Sequence, residues 1–232
     1  MQAITYQRRT IISPSQYNLN NQIEYNRHGN YLKELCTSYT LFEDRDFDVD
    51  SHNSRILQFL VFYFNGNKKA EEVFPEMNYK LHKNLLFVGT PGTGKTLLML
   101  ALSDYLRLTK NPLYFKNTSV THLLNHFKLN NHIDAFTYRQ QNSKKFEGEP
   151  EHICLNDLGI EIDKQKHFGT DVAQIIDEFL FARYEIYQNQ HKRYHITSNL
   201  TLADFQKGYE SRLLDRFKSF NVIPFNGDSR RK

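Results

Sequence analysis

Leu85-Leu86-Phe87-Val88 followed by Gly89-Thr90-Pro91-Gly92-Thr93-Gly94-Lys95-Thr96 is the stretch of sequence that decides the fold. The four apolar residues predict a buried strand, and Lys95–Leu108 predicts the helix after it. Between them the pattern GxxxxGK[ST] is met at every fixed position, in the strand–loop–helix setting that gives it meaning. Glycines let backbone N–H groups converge on phosphate oxygens with no Cβ in the way. The helix start adds unpaired donors and the positive end of a dipole. Lys95 supplies a point charge for the β- and γ-phosphates, and the Thr96 hydroxyl is a ligand for Mg²⁺. Gly89, Thr90, Pro91, Gly92, Thr93, Gly94, Lys95, Thr96 and Leu97 are therefore the expected nucleotide-binding residues, with ATP and Mg²⁺ as expected cofactors.

Outward from this loop, short apolar runs recur at Leu113–Phe115, Ile153–Leu155, Tyr194–Thr197 and Val222–Phe225. Amphipathic stretches lie between them, such as Asp171–Gln188, which puts Val172, Ile175, Ile176, Phe179 and Ile186 on one face. Strands alternating with helices predict an α/β fold with a parallel sheet covered on both sides. Upstream, Ser51–Tyr63 predicts a buried helix, apolar almost all round, with Asp50 or Ser51 as N-cap. Asn65-Gly66-Asn67 ends it, and Tyr31–Cys36 predicts a further short helix. Between Gln16 and Asn30 nearly half the positions are Asn or Gln, so Met1 to about Asn30 reads as weakly structured, or structured only against a partner.

Composition bounds the rest. At 232 residues the chain suits one core domain plus an extension, with 39% apolar and 14% aromatic residues to build a core. Thirty Lys and Arg against 26 Asp and Glu give a net charge of +4, which permits polyanion binding without demanding it. Cys36 and Cys154 stand far apart, which excludes a disulfide framework or zinc finger and fits a reducing compartment. The start, MQAITYQRRT, lacks the apolar stretch of a signal peptide, and the longest apolar run, Ile56–Phe64, is too short for a membrane span. A soluble cytoplasmic protein is expected.

A phosphate loop needs an acid on another strand, and His152-Ile153-Cys154-Leu155-Asn156-Asp157-Leu158-Gly159 supplies one in Asp157. Together with the later Thr197-Ser198-Asn199, these motifs resemble the AAA+ ATPases of the DnaC/IstB type, bacterial and phage helicase loaders with transposition helpers as relatives. The resemblance covers about residues 45–231 and implies a five-stranded sheet of order 5-1-4-3-2. It divides the chain into a 1–45 extension, suited to partner contact, and a 46–232 AAA+ domain. In that family the strand ends in two acids, one for Mg²⁺ and one for the attacking water. Here Asn156 fills the first place, so either Asp157 covers both tasks or hydrolysis is slow; Glu161 is a further candidate acid.

The same resemblance gives Asn199 the sensor position near the γ-phosphate. It makes Arg216, with Arg212 as alternative, the arginine offered to a neighbouring subunit, and Arg231 the arginine that closes on the nucleotide. The chain ends one residue later, so no separate C-terminal lid is expected. The implied partners are a replicative helicase, single-stranded DNA and further copies of the chain in a nucleotide-dependent homo-oligomer, with no membrane. From Arg183 onward ten Lys and Arg face five Asp and Glu, with Tyr184, Tyr187, Tyr194 and Tyr209 interleaved, a mix that suits stacked bases or an ordinary solvated surface. Lys144, Lys145, Lys164 and Lys166 extend that charge beside the Asp157 strand. His122 and His126 have the spacing of a two-His metal face but no third ligand, and read as a surface or interface pair. The expected function is an ATPase that loads a replicative helicase. A transposition helper and an adaptor that hydrolyses little remain as alternatives, and a small-molecule kinase lacks an identifiable acceptor pocket or lid.

Overall fold

The computed structural model describes residues 21–41, 44, 46–138, 149–159, 172–201, 203, 204, 207, 209 and 211–230. Its centre is a parallel sheet of β1 (Asn84–Val88), β2 (Phe115–Ser119), β3 (His152–Leu158), β4 (Tyr194–Ser198) and β5 (Phe220–Pro224), in the order β2-β3-β4-β1-β5. Read from the other edge this is 5-1-4-3-2, the order the resemblance implies. Helices α1 (Gln22–Thr40), α2 (Ser54–Phe64), α3 (Ala70–Val73), α4 (Lys95–Leu108), α5 (Val120–Asn130), α6 (Val172–Gln190) and α7 (Ser211–Arg216) surround it.

Strand alternation sorts the core into two layers. Leu85 and Phe87 of β1 pack with Leu98, Leu102 and Tyr105 of α4 and with the apolar residues of α1 and α2. Leu86 and Val88 point the other way, to Leu123 of α5, Ile176 and Phe179 of α6 and Leu213 of α7. β1 and β4 are buried along their whole length, the polar Asn84, His195, Thr197 and Ser198 included, because the sheet is covered on both faces.

Four expectations are corrected. Residues 22–30 are helical: Asn21 caps α1 by accepting the Ile23 N–H at 2.9 Å, and Leu32, Leu35 and Cys36 enter the core beside α2 and α4. The polar composition there belongs to the exposed side of an amphipathic helix that also absorbs Tyr31–Cys36. Helix α2 starts at Ser54, because the Asp50 carboxylate and the Asn53 amide exchange hydrogen bonds with each other's backbone N–H and hold residues 50–53 in a turn. Strand β2 begins at Phe115, where the expected run ends, and continues through Lys116-Asn117-Thr118-Ser119. As an edge strand it tolerates a polar sequence, and Leu113 instead sits in a turn with its N–H on the Asn111 side chain. Strand β5 begins two residues earlier than expected and ends on Pro224, also at an edge, where a missing N–H is harmless.

Three histidines are packed inside. His28 lies against Tyr105, 2.6 Å from its hydroxyl, and His195 accepts the Leu85 N–H while its ring meets Tyr63, Phe64 and Phe115. His152 accepts the Arg193 N–H at 2.8 Å. Burial lowers all three pKa values, His152 to about 4 and His195 well below the ordinary 6.5, with neighbouring basic side chains adding to the effect at His152 and His195 and Glu24 opposing it at His28. Neutral in the fold and protonated once unfolded, they stabilise the protein fully above pH 6.5, and that contribution is lost as pH falls toward 4. The urea midpoint is therefore expected to fall between about pH 7 and about pH 5, and His152→Gln should flatten the slope. An unchanged midpoint across that window would contradict the buried neutral state.

Candidate functional site

The sheet order brings the C-terminal ends of β1, β3 and β4 together, the place where parallel α/β sheets hold ligands. Val88 pairs with Ser198, and Ser198 pairs in turn with Leu158, so the loops after the three strands share one rim. The phosphate loop leaves β1 at Gly89 and re-enters helix at Lys95, with Gly94 in the left-handed region at φ 100°. Lys95 is 4% exposed and its ammonium curls back into the loop, donating to Gly89 O at 2.9 Å, Thr90 O at 2.8 Å and Thr93 Oγ1 at 3.3 Å. Thr96 points outward, and its hydroxyl donates to Asp157 Oδ1 at 3.4 Å.

Asp157 reaches that position through a bulge. Leu155 pairs with Ile196 and Leu158 with Ser198, so β3 carries one more residue than β4 across this interval. Asp157 takes φ 64°, a left-handed conformation that Asp tolerates better than most residues and that costs on the order of 1 kcal/mol or more. Its N–H donates to Thr197 Oγ1 at 3.1 Å, which fixes the turn. Asn156, at the first acid's place, is 3% exposed and faces Asn117 and Thr197. Its amide is thus part of the protein interior, and among the described residues Asp157 alone presents a carboxylate to Thr96.

A C-terminal segment walls the loop on another side. Phe225 N–H donates to Val88 O at 2.7 Å, Thr90 Oγ1 to Gly227 O at 3.0 Å, and Arg230 N–H to Gly92 O at 2.9 Å. The Arg230 guanidinium then pairs with Asp50 at 2.6 Å, ahead of α2. Burial pushes the Asp50 carboxyl up, but N–H groups of His52 and Asn53 and the Arg230 charge outweigh it and hold the pKa below the usual range. Gly92, at φ 82°, is so close to this segment that a Cβ would lie 2.3 Å from Ser229 Oγ.

The remaining expected residues are distributed less tightly. Asn199 follows β4 directly and is exposed. Arg216 lies on its own chain, its guanidinium 3.8 Å from the Phe181 ring centre and 5.0 Å from that of Tyr184, while Arg212 is exposed. Arg231, Glu161, Lys144, Lys145, Lys164 and Lys166 lie outside the described residues. Tyr194 is buried against Phe220, and Tyr187 donates to His82 O, so these two tyrosines are structural. His122 and His126 both pack edge-on against Phe136, and no group of three or more His, Cys, Asp or Glu among the described residues could hold a metal ion. No helix among them is long and apolar enough to cross a membrane.

A strand order of 5-1-4-3-2 with the phosphate loop after β1 and a carboxylate after β3 settles the architecture. The chain has a P-loop NTPase fold. No protein-family model and no curated protein sequence matches the chain. Among solved structures it is similar to the DnaC helicase loader, with 22% identity, 76% of this chain and 93% of that one covered, and a TM-score of 0.48. It is also similar to AMPPCP-bound DnaA from Aquifex aeolicus, at 15% identity and TM-score 0.49 over 77% of this chain and 48% of that one. Domain III of DnaA from Thermotoga maritima gives 18% identity and TM-score 0.48 over 77% and 64%. These likenesses are distant, and the fold assignment stands on the sheet and the loop themselves.

Asn117, Thr197, Asp50 and Arg230 are contributors that sequence reading passes over. The usable signal for the first two is that polar residues close three neighbouring strands: Asn117-Thr118-Ser119, Asn156-Asp157 and Thr197-Ser198. Gly92→Ala is expected to destabilise the chain by about 1–3 kcal/mol through its left-handed φ and the clash with Ser229. Ser229→Gly in the same chain should recover part of the loss in urea unfolding; no loss in the single variant would contradict the close approach.

Proposed function

We propose that this chain is an AAA+ ATPase of DNA replication that binds ATP between subunits and loads or remodels a replicative helicase on single-stranded DNA. The observation that carries the nucleotide reading is the convergence of the buried Lys95 ammonium, the Thr96 hydroxyl and the Asp157 carboxylate on one rim. Lys95 is already surrounded by oxygens, and phosphate oxygens are natural replacements for the carbonyls it now holds. Thr96 and Asp157 are hard oxygen donors that fit Mg²⁺, which usually takes one or two carboxylates plus substrate phosphates. When bound, Mg²⁺ neutralises phosphate charge, leaving Asp157 also to orient the attacking water. One carboxylate for two tasks favours slow turnover, stimulated when subunits assemble.

Of the two arginines proposed to act on a neighbour's nucleotide, Arg212 reaches outward without first leaving an aromatic partner, as Arg216 must. We place the partner contact in residues 1–45; Ile23 in the first turn of α1 and Leu41 just past its end are exposed apolar side chains suited to it. The replication reading rests on the order and spacing of the motifs. A transposition helper built on the same engine is the alternative, separated by whether the full chain with a non-hydrolysable ATP analogue captures a helicase or a transposase.

The nucleotide reading is tested by thermal and urea unfolding with and without Mg²⁺–ATP. Ligand at a hundred times Kd should stabilise the wild-type chain by about 2.7 kcal/mol, and Lys95→Ala should abolish that gain. Asp157→Asn should still bind ATP while losing turnover. A wild-type chain with no nucleotide-dependent stabilisation would end the proposal, and an unchanged kcat in Asp157→Asn would remove Asp157 from its role.

A further inference from the structure

Side chains on the C-terminal rim of the sheet hydrogen-bond head to tail and close on themselves. Asn117 Nδ2 of β2 donates to Met99 O of α4 at 3.3 Å, and Asn156 Nδ2 of β3 donates to Asn117 Oδ1 at 3.1 Å. Thr197 Oγ1 of β4 donates to Asn156 Oδ1 at 3.2 Å and accepts the Asp157 N–H at 3.1 Å. Thr96, one turn before Met99 on the same helix, donates through Oγ1 to Asp157 Oδ1 at 3.4 Å. The circuit thus leaves the phosphate-loop helix at Met99, crosses the ends of three strands, and returns to that helix at Thr96. Donation runs in one direction at every link, so bonds that share a group polarise one another.

We propose that this ring positions the Asp157 carboxylate against Thr96 and sets the grip on Mg²⁺–nucleotide, with Thr197, Asn156 and Asn117 as positioning residues. The proposal rests on the nucleotide reading above. Asp157 needs such support because its left-handed backbone and the bulge give it no regular ladder partner, and the Thr197 hydroxyl supplies one. The ring also explains the amide at position 156. That residue must donate to Asn117 and accept from Thr197 at once, which Asn can do and an ionised Asp, an acceptor only, cannot. Asn156 is therefore a required link, where its place in the motif suggests a lost metal ligand. The two views predict opposite signs for Asn156→Asp.

The test is the affinity of the full chain for a non-hydrolysable ATP analogue, measured with Mg²⁺ and again in EDTA. In the wild type Mg²⁺ should tighten binding. Thr197→Val should reduce that tightening by about tenfold while the EDTA value stays within about twofold, and Thr197→Ser should restore it. Asn156→Asp should also reduce it. Asn117→Ala, at the half-buried edge strand, carries the same expectation if Thr197→Val does not fold by circular dichroism. Lys95→Ala, by contrast, should weaken binding in both conditions. Full Mg²⁺ tightening in Thr197→Val or in folded Asn117→Ala, or a gain in Asn156→Asp, would overturn the ring as the positioning device. A wild-type chain that binds nucleotide in neither condition would remove the nucleotide reading, and the proposal with it.

Discussion

The Lys95 ammonium is withdrawn from water, and a buried cation left without oxygen partners would cost several kcal/mol. Its oxygens come from Gly89 and Thr90, backbone carbonyls that reach it only because the loop curls around the first turn of α4. That curl needs β1 held firmly in the sheet, and β1 is fixed by burial along its whole length between β4 and β5. The two apolar layers can be seen as the scaffold for this one cation. Each layer takes alternate residues of β1, so a shift of one residue in register would exchange the layers and misplace the loop.

The loop, the helix after it and the central strands were legible in the sequence because they obey strong local rules. Lys95–Leu108 is helical over its expected length, and the apolar run Leu85–Val88 of β1 reflects cover on both faces. What escaped was decided by tertiary context. The polar half of β2 is a strand because Phe115 to Ser119 pair with His152 to Asn156, and nothing in its composition announces that. The Asn- and Gln-rich start of α1 is ordered by Tyr25 on Phe62 and His28 on Tyr105, and by Leu32, Leu35 and Cys36 further along the helix.

The site was legible in its chemistry and less so in its geometry. Lys95, Thr96 and Asp157 meet as their motifs require, yet the reason Asp157 can face Thr96 is a bulge that no residue pattern encodes. Asn156 looks like a defect along the sequence and like a joint in space, because its partners, Asn117 and Thr197, come from two other strands. Arg216 lies over two rings on α6, a setting that its motif spacing does not announce.

The wall against the phosphate loop has a consequence for how the pocket comes into being. Thr90 and its partner Gly227 are 137 residues apart along the chain, and Arg230 meets Asp50 across 180. Contacts of such span form late, after the entropy of closing large loops has been overcome. During synthesis the glycine-rich bend leaves the ribosome long before the strand that flanks it, so a nascent chain carries the motif without its enclosure. Enclosure of the loop is thereby tied to synthesis of residues 220–230.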